Sequence, residues 1–241
     1  VLFTLNPDNP TVKEHTRNGG LAFVLDGDSL LRVDGDSIEE ICKSAEIPIA
    51  LDGVASHNIA NALAAAALTH CLGIPMSDIH EGLTSMSQDN NPGRSNVYSI
   101  SDFKVLVDFA HNPHAMKALF NMAHALPAKR RLLAFAQAGD RTDESIRELA
   151  RSAWSIGLDK VVVSELEAYA RGRSRGEVFG IIRDELINCG ARKDQIQHFM
   201  EETESLDAAL DWAQPGDLII MLALSDREAI QDKLKSLSSP R

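Results

Sequence analysis

Three segments of the sequence gather ionisable and amide side chains directly after apolar runs. The first is Asp108-Phe109-Ala110-His111-Asn112-Pro113-His114. The second is Gln137-Ala138-Gly139-Asp140-Arg141-Thr142-Asp143, and the third runs from Glu165 to Glu177 and carries Arg171, Arg173 and Arg175. In each, a chemical role competes with a structural one. His111 and His114 have the spacing of two metal ligands on one helical turn, yet no third ligand at the spacing of a zinc motif accompanies them. Asp108 and Asp143 suit the capping of helices, where a carboxylate complements the helix dipole, and Pro113 suits a first helical position. Gly139-Asp140-Arg141 reads either as a turn with a surface ion pair or as part of a site. The run from Arg171 to Glu177 reads either as a solvated loop or as an anion clamp, since guanidinium groups bind carboxylates bidentately and glycine permits close approach.

Whether these segments act together depends on the elements that carry them. The segment Ser87 to Asn96 is polar, contains Pro92 and Gly93, and reads as a linker. Beyond it, apolar runs at 104–109, 131–136, 160–164, 195–200 and 217–222 alternate with amphipathic stretches at 113–126, 143–156, 176–189, 205–212 and 226–237. Strands that are apolar throughout and alternate with helices predict an α/β fold, a mainly parallel sheet covered on both faces. Ligands of such folds bind outside the carboxyl ends of the strands, at a switch in strand order, so all three segments are expected on one edge of one sheet. Before the linker the chain is turn-rich, with β-like runs at 21–25 and 30–33. Asp-Gly pairs at 26–27, 34–35 and 52–53 read as hairpin signals. An Ala- and Leu-rich helix over 58–72 is expected to end at Gly73, with a second helix from Ser77.

Composition narrows the function classes. Thirty-five Asp and Glu against 24 Lys and Arg give a net charge of −11, and 44% hydrophobic residues with 24% charged ones are the balance of a globular protein. Nucleic-acid binding needs a basic face, and a short basic segment such as Arg171 to Arg175 does not make one in an acidic chain. No apolar run approaches the roughly 20 residues that span a bilayer, so no membrane association is expected. Cys42, Cys71 and Cys189 show no CxxC spacing and are expected as buried free thiols of a cytoplasmic protein. The chain holds no GxxxxGK[ST] phosphate loop and no GxGxxG, and no nucleophile elbow is expected. The element that would hold a nucleotide's β,γ-phosphates is missing.

Taken in order, the motifs resemble the Mur ligase superfamily. His57-Asn58-Ile59-Ala60-Asn61-Ala62-Leu63-Ala64-Ala65 is similar to its HNxxNxLAA helix, and Asn91-Pro92-Gly93-Arg94 to its linker. Val107-Asp108-Phe109-Ala110-His111-Asn112-Pro113 is similar to its VDYAHxP strand and loop, with Phe109 in place of the usual Tyr, and Gly139-Asp140-Arg141 matches the next loop. Within the superfamily, Pro7-Asp8-Asn9-Pro10, the run from Asn91 to Asn96, the run from Gly139 to Glu144 and the run from Arg171 to Glu177 resemble the cyanophycin synthetases.

That resemblance implies an ATP-dependent amide ligase using Mg²⁺, in which a carboxylate is activated as an acyl phosphate and attacked by an amino group. Residues 1–91 would be the C-terminal remnant of the central ATPase domain and residues 92–241 the C-terminal Rossmann-like domain. The phosphate loop and metal ligands would lie upstream of Val1, so this fragment alone is expected to be inactive. By the same resemblance Asn58, Asn61, Arg94 and Asp108 would bind the nucleotide, and His111 and Asn112 would be catalytic, lying toward the triphosphate. Asp140 and Arg141 would lie near the incoming substrate, and Glu165, Arg171 and Arg173 would bind substrate. Glu165 and Glu167 suit a cationic amino acid such as arginine; Arg171 and Arg173 suit a carboxylate of the acceptor. Peptidoglycan ligases carry a DNPR-like loop after the third strand, where this sequence has Ser164 to Ser174. The implied partners are an amino acid, a peptide or polymer acceptor and the preceding domains of the same chain. Large ligases of this kind are often homo-oligomers. The alternatives are another peptide or folylpolyglutamate ligase, and a noncatalytic nucleotide-binding module.

Overall fold

The computed structural model describes residues 1–238. The chain divides into two compact units, Val1–Asn90 and one beginning at Asn91.

The first unit is built on a four-stranded sheet in the order β1 (Leu2–Thr4), β2 (Leu21–Asp26), β3 (Ser29–Asp34), β4 (Ser37–Lys43). β1 pairs parallel with β2, and α1 (Pro10–Arg17) links them. β2, β3 and β4 form two antiparallel hairpins, each closed by a two-residue turn whose first residue, Gly27 or Gly35, has positive φ. That backbone matches the twist of the flanking strands, which is why the first two Asp-Gly pairs mark hairpins. The third pair does not. Leu51, Asp52 and Gly53 all have positive φ, and they lead into α2 (Ser56–Cys71) rather than back along a strand. With α3 (Met76–Ser85), α2 covers a core centred on Phe23, Leu30, Ile47 and Leu63. Cys42 is buried there, and burial, reinforced by Glu46 and Glu40, pushes its thiol up to about 11. Cys71 is exposed and Cys189 half-buried, contrary to the expectation of three buried thiols; each falls at the C-terminal end of a helix, where one face meets solvent.

The second unit is the expected α/β sheet, six strands in the order β5-β6-β10-β7-β8-β9. The strands are β5 (Asn96–Ile100), β6 (Phe103–Asp108), β7 (Arg131–Phe135), β8 (Lys160–Ser164), β9 (Ile196–Phe199) and β10 (Leu218–Leu222). All neighbours are parallel except β5 and β6. β5, which the sequence reading does not include among its strands, begins at Asn96, the last residue of the expected linker; that polar start hides the pairing signal. The helices are α4 (Pro113–Ala125), α5 (Asp143–Trp154), α6 (Glu177–Asn188), α7 (Glu202–Trp212) and α8 (Arg227–Leu237). α5 packs against α4 and α6, and α7 against α8 and four strands. Alternate strand residues face opposite sides, so Val105, Val107, Leu132, Ala134, Ile219 and Met221 form one core with Leu206, Ala209, Ile230 and Leu234 of α7 and α8. β10, Leu-Ile-Ile-Met-Leu, is at most 1% exposed along its whole length, as a central strand covered on both faces must be. Burying each of those side chains contributes about 1.5–3 kcal/mol.

Strand order sets the location of the site. The chain passes from β6 to β7, then outward through β8 and β9, and returns to insert β10 between β6 and β7. The reversal puts the switch point beside β10, at the carboxyl ends of β6, β7 and β10. The opposite edge is closed structurally: buried Asp217 takes two hydrogen bonds from Arg130, whose guanidinium also lies 4.0 Å from the centroid of Trp212. No helix among the described residues is long and apolar enough to cross a membrane.

Candidate functional site

A cleft of about 200 Å³ opens at the switch point. It draws Phe109 and His111 from the loop after β6, Gln137, Asp140 and Arg141 from the loop after β7, Leu166, Tyr169 and Arg171 from the loop after β8, and Leu224 from the segment after β10. A second cleft of about 190 Å³ shares Gln137 and Leu166 with it and adds Glu165, Glu167, Arg173, Arg175 and Met200. The three chemistry-bearing segments therefore meet on one edge of one sheet, as the strand pattern predicts.

Two loops are locked together beneath these clefts. Gly139 donates to the Tyr169 carbonyl at 2.8 Å, and a Cβ at position 139 would stand 2.0 Å from the Ala170 oxygen. Glycine is required there because only a residue without a side chain lets the two backbones approach. Arg173 completes the lock. Its Nε donates to Gly139 O at 2.8 Å and its Nη2 to Arg141 O at 2.7 Å, and it pairs with Asp143 and Glu177 at 2.8 and 2.9 Å. Those acidic neighbours, Asp143 first, raise its pKa further. Its donors are thus spent within the protein, unlike those of Arg171, whose side chain is 53% exposed and reaches Asp140 at 3.3 Å. Asp140, Arg141 and Arg171 form an exposed cluster, and exposed pairs of this kind add little stability. Their charges remain open to a ligand.

At the end of β6, Asp108 is buried, and its Oδ2 accepts from the Ser95 amide at 2.8 Å and hydroxyl at 3.1 Å. It caps no helix. His111 Nδ1 lies 3.0 Å from the Phe109 carbonyl, which can only accept, so Nδ1 carries a proton and a neutral ring presents Nε2 as its acceptor. Asn112 is the N-cap of α4: its Oδ1 accepts from Ala115 N at 2.9 Å, and Pro113 follows at the first helical position. Thr142, rather than Asp143, caps α5.

Arg94 and Phe109 meet in an arrangement that also recruits Arg227, a residue no sequence motif marks. The two guanidinium carbons lie 5.1 and 4.4 Å from the Phe109 centroid. Gly93, with positive φ, makes room for Arg227; a Cβ there would fall 2.6 Å from Arg227 Cδ. The contacts come from three distant stretches, so only the fold could reveal them. In the first unit, Asn58 is buried and its amide donates to Ile49 O at 2.7 Å, holding the entry to α2, whereas Asn61 is exposed on that helix.

Glu165 sits at the end of β8, where its Oε1 accepts from the Gly176 amide at 3.1 Å and from His198 Nε2 at 2.8 Å. Gly172, Ser174 and Gly176 spell GxSxG, the spacing of a nucleophile elbow. Here the serine is exposed, lies well past the end of β8, and its amide donates to Glu177, so no strand-to-helix elbow forms. Among the described residues, no three His, Cys, Asp or Glu side chains converge to hold a metal ion.

Comparison with known proteins agrees with this fold. The family described as Mur ligase, glutamate ligase domain, matches residues 93–223. The chain is 32% identical over 232 residues to a cyanophycin synthetase of Crocosphaera subtropica, covering 95% of this chain and 26% of that protein. It is 26% identical over 229 residues to a UDP-N-acetylmuramoyl-tripeptide–D-alanyl-D-alanine ligase of Synechocystis, covering 91% of this chain and 46% of that one. The chain thus spans about a quarter of the length of the cyanophycin synthetases it matches. Among solved structures, E. coli FolC in complex with ADP superimposes with a TM-score of 0.65 at 19% identity, over 95% of this chain and 52% of that one. This likeness is one of fold. With the family matched across more than half of its length, the chain belongs to the Mur ligases, and its six-stranded unit carries their glutamate ligase domain.

Proposed function

We propose that the chain is the C-terminal part of an ATP-dependent amide ligase of the cyanophycin synthetase type, one that joins arginine to the β-carboxylate of aspartate through an acyl phosphate. The observation that carries this reading is the 30–32% identity to cyanophycin synthetases across 95–96% of the chain, against 26–29% to peptidoglycan ligases across 78–95%. The first unit is then the tail of the central ATPase domain, and the unit from Asn91 is the C-terminal Rossmann-like domain.

The residues fit a nucleotide in part. The stacked guanidinium of Arg94 offers a planar cationic face to a base, and Asp108, held by Ser95, offers a carboxylate at a strand end for ribose hydroxyls. In the first unit, taken by itself, Asn58 fixes the start of its helix, which carries Asn61 on an exposed face. The described residues offer no metal-ligand cluster, so Mg²⁺ ligands are assigned to the preceding part of the full chain. ATP, when bound, supplies the phosphoryl group that activates the acceptor carboxylate. This chain's own residues orient the reactants: His111 offers Nε2, Asn112 sets the start of α4 so that His111 is presented, and Asp140, Arg141 and Arg171 hold the acceptor. Glu165 and Glu167 receive the cationic amino acid, while Arg173 keeps the two substrate loops in register.

The test is phosphate release by the full-length protein with ATP, Mg²⁺ and an aspartate-containing acceptor, offered arginine, lysine, glutamate and alanine in turn. Stimulation by arginine alone supports the reading. Stimulation by glutamate moves the chain to the folate- or peptidoglycan-type ligases, and ATP binding without turnover makes it a noncatalytic module.

A further inference from the structure

Glu165 is held in an unusual way for a surface carboxylate. Both hydrogen bonds of its carboxylate fall on one oxygen, Oε1, which accepts from His198 Nε2 at 2.8 Å and Gly176 N at 3.1 Å. Among the described residues Oε2 has no hydrogen-bond partner, and Glu165 lines both the 190 Å³ cleft and a neighbouring one of about 380 Å³. A carboxylate accepts only, so the His198 proton is on Nε2. The imidazole is fixed in turn by Phe179 of α6, stacked face to face at 3.9 Å with an interplanar angle of 1°. His198 comes from β9 and Phe179 from α6, so the carboxylate is braced from two elements outside its own loop. The side chains of Glu165 and His198 are 13% and 27% exposed, which strengthens a charge-assisted bond relative to one in open water.

Resting on the reading that the loop after β8 receives a cationic amino acid, we propose that His198 is a positioning residue that turns the Glu165 carboxylate so that Oε2 meets the substrate's cationic side chain. Without the imidazole, Glu165 would keep only the Gly176 amide and could rotate away from the cleft. A neutral amino acid would gain nothing from this bracing. The pair therefore sets selectivity for a cation rather than the rate of the chemical step.

The experiment measures phosphate release by the full-length protein against arginine concentration for wild type, Glu165→Gln, His198→Ala and His198→Gln, the last because a glutamine amide can donate from the position of Nε2. Loss of a charge-assisted contact corresponds to roughly a tenfold or greater rise in KM. Expected are such rises in arginine KM for Glu165→Gln and His198→Ala, kcat within about twofold of wild type, unchanged KM for ATP, and recovery of most of the loss in His198→Gln. If Glu165→Gln leaves arginine KM unchanged, the cationic-substrate reading of this loop is wrong and the positioning role falls with it. If Glu165→Gln raises KM and His198→Ala does not, the reading stands and the positioning role alone is overturned. A parallel fall of kcat and affinity for every substrate in His198→Ala, with no recovery in His198→Gln, assigns the pair to structure and overturns the proposal.

Discussion

Single atoms decide how the candidate site holds its shape. Gly139 is the sharpest case, because the Ala170 oxygen occupies the space a Cβ would need and the clash is with backbone rather than with a flexible tip. Gly139→Ala is expected to destabilise the protein by about 1–3 kcal/mol and to separate the loops after β7 and β8; denaturant unfolding checks the first, and, under the proposed function, KM values for amino acid and acceptor in the full-length protein check the second. At the opposite edge of the sheet, burial works to raise the Asp217 pKa, but the Arg130 hydrogen bonds and the Gln214 amide outweigh it and hold the carboxyl below the usual range. A lowered folded-state pKa gives stability that is complete above the unfolded value near 4 and is lost as the pH falls through the folded value. Asp217→Asn should therefore cost about 1–3 kcal/mol at neutral pH, the lower end applying because Arg130 is one-third exposed. The gap from wild type should narrow in unfolding curves taken below pH 4. A gap independent of pH would show that packing, not charge, is what Asp217 supplies.

At the scale of elements, what was legible in the sequence was whatever depends on local pattern. The strands of the second unit stand out because each is apolar throughout, and the loops after β6, β7 and β8 fall on one edge as a consequence of their parallel order. β5 was not legible, since its pairing with β6 rests on register rather than on hydrophobicity. The start of α7 was hidden for a related reason: Glu202 reads as a surface residue but is 1% exposed. Its carboxylate accepts from the amides of Leu224, Ser225 and Asp226 at 2.8–3.1 Å, closing the entry to α8 from a neighbouring helix. Amide donors at a helix start favour an anion, and here the protein supplies its own. Glu202→Ala should lose about 1.5–3 kcal/mol in unfolding experiments and speed amide exchange at Leu224 to Asp226, with Glu202→Gln less affected. Because Leu224 lines the first cleft, this loosening should also reach the site. Unchanged exchange at those amides would contradict the role assigned to Glu202. In the site itself, the family motifs point to His111, Asp140 and Arg171, while the Arg227 and His198 contacts follow only from folding, their partners being far away in sequence.

The whole chain is two units with separate cores, Phe23, Leu30 and Leu63 in one and Val105, Ile219 and Leu206 in the other. The chain spans about a quarter of the cyanophycin synthetases it matches, and in the proposed function it binds and orients the reactants. In that proposal the carboxylates receive the cationic amino acid and the arginines an acidic acceptor, in adjacent clefts. The most direct measurement is the mass of the product formed by the full-length protein from ATP, Mg²⁺, an aspartate-containing acceptor and a mixture of the common amino acids other than aspartate. The account predicts an acceptor heavier by arginine residues joined through aspartate β-carboxylates, with one phosphate released for each; an acceptor extended by a different amino acid, or left unchanged while ATP is consumed, would contradict it.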